Sequence, residues 1–119
     1  MITTTTGKVV TAMKSLEEIK GQQVSKKAAK ELFHLKARMR ETVDFYLEQV
    51  GEIVDRLHLK MENGVITFKD DVERELFIQE MRELEDTEAR LDCDKVDLTE
   101  EDIKISEQFV DQTGEFVDL

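Results

Sequence analysis

Apolar residues recur every three or four positions from residue 28 to residue 57, and this pattern predicts a long amphipathic helix from about residue 25 to residue 60. Ser25 stands where an N-cap hydroxyl is expected. The helix would be about 50 Å long at 1.5 Å per residue, so it needs other elements to cover its apolar side. That side consists of Ala28, Leu32, Leu35, Met39, Val43, Tyr46, Val50, Ile53 and Leu57.

A second helix is predicted from about 71 to 85, after the turn signal Asn63-Gly64, with Asp70 or Asp71 as its cap. The two helices are expected to pack as an antiparallel hairpin with coiled-coil-like contacts. The second arm is shorter, so the rest of the long helix must meet the N-terminal helix, the C-terminal elements or another subunit. The predicted apolar stripe of the second helix is Val72, Leu76, Phe77, Met81 and Leu84.

The chain before the hairpin predicts two short elements. β-branched residues in the range 1–6 favour an edge strand. Residues 9–20 are expected to form a helix, with Ser15 and Glu18 as a capping box and Gly21 as its C-terminal stop. Its apolar positions are Val10, Met13, Leu16 and Ile19.

After the hairpin the apolar period changes to two, which is typical of a strand. The alternation slips by one residue at Lys95, so we expect either one bulged strand or two short strands. Because a single strand is not stable alone, this segment should pair with residues 1–6 in a small two-stranded sheet. Its apolar residues are Ala89, Leu91, Cys93, Val96 and Leu98.

The C-terminal residues predict a short helix and an apolar tail. Thr99 and Asp102 form a capping-box pattern at the start of a helix from 100 to about 110, docked by Ile103, Phe109 and Val110. Phe116, Val117 and Leu119 then either fill the core or anchor a partner, and we favour the core.

Together these elements predict an α+β fold that is mainly α. It consists of a long antiparallel helical hairpin, a small two-stranded sheet joining the terminal regions, and a short C-terminal helix. A chain of 119 residues suits one domain, 1–119, with the hairpin at about 25–85 and an acidic strand and helix block at 86–119.

Charge is distributed unevenly along the chain. Residues 83–119 contain fourteen acidic and three basic side chains, a net charge of −11, whereas residues 1–82 contain fourteen of each. Residues 20–40 carry a net charge of +6, which we interpret as a solvated helix face or an internal match to the acidic block. Carboxylates repel phosphates, so direct nucleic-acid binding is not expected, although an acidic stripe can imitate DNA.

The residue types that commonly act in catalysis or bind metals do not occur at the spacings that an active site or a metal site requires. A calcium loop counted from Asp92 places Asp97 where glycine is required and Ile103 where a bidentate glutamate is required. His34 and His58 are about 36 Å apart on one predicted helix, and Cys93 falls on the apolar side of its strand. We therefore expect no enzyme activity, no metal and no cofactor.

Apolar runs are too short for a membrane span, and residues 1–8 contain no apolar signal region, so we expect neither insertion nor export. The single Cys93 agrees with a cytoplasmic protein. Burying an unpaired charge is costly, so the acidic side chains must face solvent or a partner. The candidate partner-binding residues are Asp92, Asp94, Asp97, Glu100, Glu101, Asp102, Phe116 and Leu119.

The segments VSKKAAKELFHLK, ENGVITF and FIQEMRELEDTEARLDCDKVDLTEEDI resemble a group of small proteins encoded by tailed phages and prophages of Gram-positive bacteria. The resemblance spans most of the chain and implies a phage-encoded, non-enzymatic protein in a bacterial host cell. It implies no binding residue.

Three functions compete on these grounds. The first is an inhibitor or modulator of a bacterial host protein, such as a defence nuclease, acting through the acidic surface. The second is a structural or assembly component of a phage particle that forms a homo-oligomer through the hairpin. The third, a small enzyme, has no supporting set of residues. We expect the first.

Overall fold

A computed structural model describes residues 1–19, 24–99, 101–103 and 107–118. This part of the chain is α+β and mainly α, as predicted. Its elements, in chain order, are β1 (Ile2–Thr5), α1 (Thr6–Glu17), α2 (Lys26–Arg56), β2 (Lys60–Glu62), β3 (Val65–Thr67), α3 (Asp71–Glu85), β4 (Glu88–Leu91), β5 (Val96–Asp97), α4 (Glu107–Thr113) and β6 (Val117–Asp118).

The long helix α2 is confirmed, and it determines the shape of the molecule. Its 31 residues extend about 46 Å at 1.5 Å per residue, close to the 50 Å length of the whole structure. Ser25 caps it as predicted, because its hydroxyl accepts a hydrogen bond from the backbone N–H of Ala28 at 3.1 Å. Met39 is fully buried near the middle of the helix.

The end of α2 at Arg56, rather than near residue 60, has a local cause. His58 adopts a left-handed conformation with φ of 54°, and the N–H of Leu59 donates to the carbonyl of Val54 at 3.0 Å. The N–H of His58 donates to the carbonyl of Asp55 at 3.2 Å. These two bonds form a Schellman motif, and its usual apolar contact is supplied by the buried Leu59 and Val54.

The chain then reverses and returns along α2. Asn63 and Gly64 have φ of 52° and 77°, as a type I′ turn requires, and join β2 to β3 in an antiparallel hairpin. Asp70 caps α3 by accepting from the N–H of Glu73 at 2.8 Å. Arg56 and Glu80 form an ion pair at 2.8 Å between the two helices, so the antiparallel helical hairpin is present.

The predicted apolar stripe of α3 is only partly correct. Leu84 is buried and Phe77 and Met81 are partly buried, but Val72 and Leu76 are 69% and 48% exposed. The helical period identified apolar positions without showing whether an element exists to cover them. In the described part of the chain α2 and α1 are the helices that contact α3, so its outer side faces solvent.

The helix α1 starts three residues earlier than predicted, at Thr6, because Thr5 is its N-cap. The Ser15–Glu18 capping box is wrong: Ser15 lies buried inside the helix, and its hydroxyl donates to Oε1 of Gln112. Gly21, the predicted stop, lies outside the described residues. The apolar side of α1 packs on the first half of α2 and forms the main core with it.

The predicted sheet between the terminal regions is confirmed. β1 pairs antiparallel with β4, with Ile2 opposite Leu91 and Thr5 opposite Glu88. The acidic segment forms two short strands, which was one of the two alternatives. The second of them, β5, pairs in parallel with β6, a contact that the sequence pattern does not indicate.

The predicted helix from residue 100 is wrong at its start. Glu101 and Asp102 form a turn, Ile103 makes a β-bridge with Val24, and α4 begins at Glu107. The side chain of Ile103 is buried in the core, so the backbone here follows the core rather than the local capping pattern. Phe109 is buried as predicted, whereas Val110 is largely exposed.

The two glycines at Gly51 and Gly7 give opposite predictions for substitution by alanine. A Cβ at Gly51 would meet nothing within 4 Å, so Gly51→Ala should raise the free energy of unfolding by about 1 kcal/mol through helix propensity. A Cβ at Gly7 would lie 2.9 Å from Cβ of Glu85, so Gly7→Ala should lower it by about 1–3 kcal/mol. Urea unfolding of both variants measures these changes. A destabilised Gly51→Ala or a stabilised Gly7→Ala would contradict the packing described here.

Candidate protein-interaction surface

Four exposed carboxylates lie close together in sequence after β4, and we name Asp92, Asp94, Asp97 and Glu101 the acidic surface. The alternation of β4 buries Ala89 and Leu91, and the same period directs Asp92 and Asp94 to solvent. The Asp94 side chain is 98% exposed and pairs with the N-terminal ammonium at 3.4 Å. Asp97 precedes the buried Leu98, so it also faces outward.

Backbone hydrogen bonds hold the acidic surface in place. The N–H of Val96 donates to the carbonyl of Phe116 at 2.9 Å, and the N–H of Leu98 donates to the carbonyl of Asp118 at 2.9 Å. The Phe116 side chain is 1% exposed and lies in the core below. Phe116 is therefore a core residue, as in the alternative favoured from the sequence, and its side chain is not part of the exposed surface.

Asp102 has a structural role within the chain. Its Oδ2 accepts from the backbone N–H and the hydroxyl of Thr99, each at 3.1 Å, and its Oδ1 accepts from the Ser25 hydroxyl at 3.0 Å. These bonds, with the Thr99 N–H contributing most, hold the pKa of Asp102 below its ordinary value. The N–H of Ser25 also donates to the carbonyl of Asp102 at 2.7 Å, so the acidic segment is tied to the start of α2.

Two of the predicted partner-binding residues, Glu100 and Leu119, lie outside the described residues. Among the described ones, the structure brings Asp92, Asp94 and Asp97 together beside one groove.

The groove separates the acidic surface from the basic side of α2. Its volume is about 600 Å³, and Lys27, His34 and Arg38 line it from the helix. Basic and acidic side chains therefore line the same groove. The cross-groove attraction is weak, because no salt bridge joins the basic side chains of α2 to the acidic surface among the described residues.

Glu31 was not recognised from the sequence as a site residue, and it also lines this groove. Its Oε2 atom is shielded from solvent and has no hydrogen-bond partner in the described part of the chain. A buried acceptor without a donor is costly, so this atom favours a donor group brought by another molecule or by water. The sequence signal that could have identified Glu31 is its position as the one acidic residue within the basic stretch 20–40.

The other reactive side chains are those of Cys93, His34 and His58, of which the first two also line this groove. Cys93 is partly buried in the groove, and burial raises the pKa of its thiol above the ordinary value, although Arg38 acts in the opposite direction. His34 is exposed with its ring at the edge of Phe33, and His58 is exposed at the end of α2. Within the described ranges no three His, Cys, Asp or Glu side chains are grouped closely enough to hold a metal ion.

No family model, no curated protein and no solved structure matches this chain. The resemblance to phage and prophage proteins therefore stays a prediction. Across the residues that the structure describes, no helix is both long and apolar enough to cross a membrane.

Glu115 is a second polar residue that the sequence did not indicate, and it joins β1, α1 and the C-terminal segment. The hydroxyl of Thr4 donates to its Oε2 at 2.6 Å, and Lys8 Nζ lies 3.2 Å from its Oε1. The Thr4 bond is the main reason why the pKa of Glu115 lies below its ordinary value of 4.5. A lowered pKa means that the carboxylate contributes stability above about pH 4.5 and loses it as the pH falls through the folded-state pKa.

Substitution of Glu115 should therefore change how the free energy of unfolding depends on pH. Glu115→Gln is expected to lower the free energy of unfolding at pH 7 and to flatten its decline below pH 4.5. Urea unfolding at a series of pH values measures both effects. Glu62→Gln, at the exposed tip of the β2–β3 hairpin, controls for the loss of one negative charge. An unchanged acid dependence in Glu115→Gln would show that the Thr4 contact is absent.

Proposed function

We propose that this chain is a non-enzymatic protein that binds a basic surface of a bacterial host protein and thereby inhibits or modulates it. The observation that carries the proposal is the acidic surface: four exposed carboxylates on a segment held by backbone bonds to β6 and by buried side chains below. Because backbone bonds already hold β5 in place, binding through the carboxylates beside it would cost little conformational entropy.

Charge supports the same proposal. Asp92, Asp97 and Glu101 form no salt bridge in the described part of the chain, so their charge is available to a partner. The chain as a whole carries a net charge of −11, which would accelerate encounter with a basic protein and repel acidic ones. Attraction of this kind weakens as salt concentration rises.

A nucleic-acid-binding partner, such as a defence nuclease, is the class of target that we favour. The phosphate-binding surface of such an enzyme is basic, and a row of fixed carboxylates can occupy it as DNA does. The groove beside the acidic surface adds a specific contact, because the unpartnered Oε2 of Glu31 would accept a hydrogen bond from an inserted lysine or arginine. Such a protein, encoded by a phage, would act in the cytoplasm of the host cell.

The second candidate function is a structural or assembly component of a phage particle. The observation that favours it is the exposed apolar side of α3, which the acidic-surface proposal does not use.

The experiment is an affinity pull-down from bacterial lysate across a salt series with three forms of the chain. The first is the wild type, and the second carries D92N, D94N, D97N and E101Q. The third is a matched control with D44N, E48Q, E52Q and D55N, which removes four exposed charges from the second half of α2. Binding of a partner to the acidic-surface variant should fall about tenfold or more, while the control binds as the wild type does.

The expected result is one stoichiometric host protein that is retained at low salt, lost at high salt and lost with the acidic-surface variant. Equal loss in both variants would mean that overall charge, and not the acidic surface, determines binding. Retention by the acidic-surface variant would overturn the proposal, as would the absence of any partner of the wild type.

A further inference from the structure

The outer side of α3 is an apolar surface that no other described helix covers. Val72, Leu76 and Ile78 are all exposed there, and they line a shallow groove of about 490 Å³. Leu84 is the buried apolar residue that α3 contributes to the molecule. Three exposed aliphatic residues on one short helix are unfavourable in water unless another surface covers them.

Three charged residues and one aliphatic residue beside this groove follow a regular spacing. Asp71, Glu75, Ile78 and Arg82 are separated by four, three and four residues, so they form one ridge along α3. Asp71 lies at the start of this ridge and Arg82 at its end, three helical turns or about 16 Å apart. The ridge therefore has opposite charges at its two ends, and the aliphatic Val72, Leu76 and Ile78 line the groove between these ends.

The two ends of this ridge are complementary in charge, so the ridge can pair with the same ridge of a second copy that runs in the opposite direction. If a second α3 lies antiparallel on the first, with the two-fold axis between residues 76 and 77, Asp71 of each copy faces Arg82 of the other. The same rotation places Glu75 opposite Ile78 and brings the two Leu76 side chains near the axis. An interface that uses one patch twice in this way is the usual form of a two-fold dimer.

We infer that a second copy of this chain docks antiparallel on the outer side of α3, so that the two α3 helices pack together with one α2 helix on each side of the pair. Arg82 supplies its guanidinium to Asp71 of the partner and its aliphatic stem to Val72 of the partner. The Asp71 side chain is 89% exposed and pairs within its own helix only with Arg74, so it is accessible to this contact.

The face available to the dimer is small. α3 has 15 residues and extends about 22 Å, so the two copies bury less area than a standard interface. We therefore expect a weak dimer that dissociates on dilution. The inference is independent of the proposed function, because the acidic surface lies beside the first half of α2, whereas α3 packs along its second half.

Sedimentation velocity over a concentration series from about 5 μM to 1 mM tests the dimer. The wild type is expected to shift from monomer to dimer, and Leu76→Glu should remain a monomer throughout. Phe33→Glu is the matched control, because Phe33 is 64% exposed on α2 away from α3, and this variant should dimerise normally. Both substitutions are at exposed positions, so circular dichroism should show an unchanged helix content.

The register is tested by charge reversal. Asp71→Arg places like charges at both ends of the interface, and so does Arg82→Asp, so each variant alone should be a monomer. When the two variants are mixed, both end contacts become opposite in charge, and a heterodimer should form. A wild type that stays monomeric at 1 mM would overturn the inference. So would a Leu76→Glu variant that still dimerises, or a mixture that fails to associate.

Discussion

The structure depends on one constraint, which is that α2 is longer than the core that can cover it. A helix of 31 residues presents apolar side chains along about 46 Å, whereas α1 has only 12 residues, about 18 Å, and covers less than half of that length. The core cluster accordingly contains Ala28, Leu32, Leu35 and Met39 of α2, together with residues of α1, β4, α4 and β6. Beyond Val43, which still packs against this core, the helix depends on α3, which covers one side of it.

This division separates the molecule into two regions with different physical properties. Around the first half of α2, α1 and the β1–β4 and β5–β6 pairs enclose a core and fix the acidic surface on its outside. The hydrogen bond from Ser25 to Asp102 joins the start of α2 to the acidic segment, because the same Ser25 hydroxyl also caps α2. Around the second half of α2, the helical hairpin is two helices wide and leaves aliphatic side chains in solvent. These exposed side chains are the basis for inferring a second copy there.

Local signals predicted the elements that depend on neighbouring residues. The caps at Ser25 and Asp70, the Asn63-Gly64 turn and the apolar period of α2 act over a few residues, so the sequence is sufficient to identify them. The β1–β4 sheet was also predictable, because few other strands were available for pairing.

The features that were missed depend on residues distant in sequence. Ser15 and Glu18 match a capping box, but the N-cap of α1 is Thr5 and Ser15 bonds to Gln112. β5 and β6 have two residues each, too few to give a period, and the pairing that joins them follows from the buried Phe116. The exposure of Val72 and Leu76 could not be predicted, since a period shows which residues share a face and not whether anything covers that face.

Hydrogen exchange at a protein concentration below that of the inferred dimer tests this division most directly. Amides of α1 and of residues 28–39 are expected to exchange only through global unfolding, because they are bonded within the enclosed core. Amides of α3 and of the β2–β3 hairpin are expected to exchange faster, through local opening with a smaller free energy. Equal protection of α3 and α1 in the monomer would contradict the account, because it would mean that the second half of the long helix is covered as completely as the first.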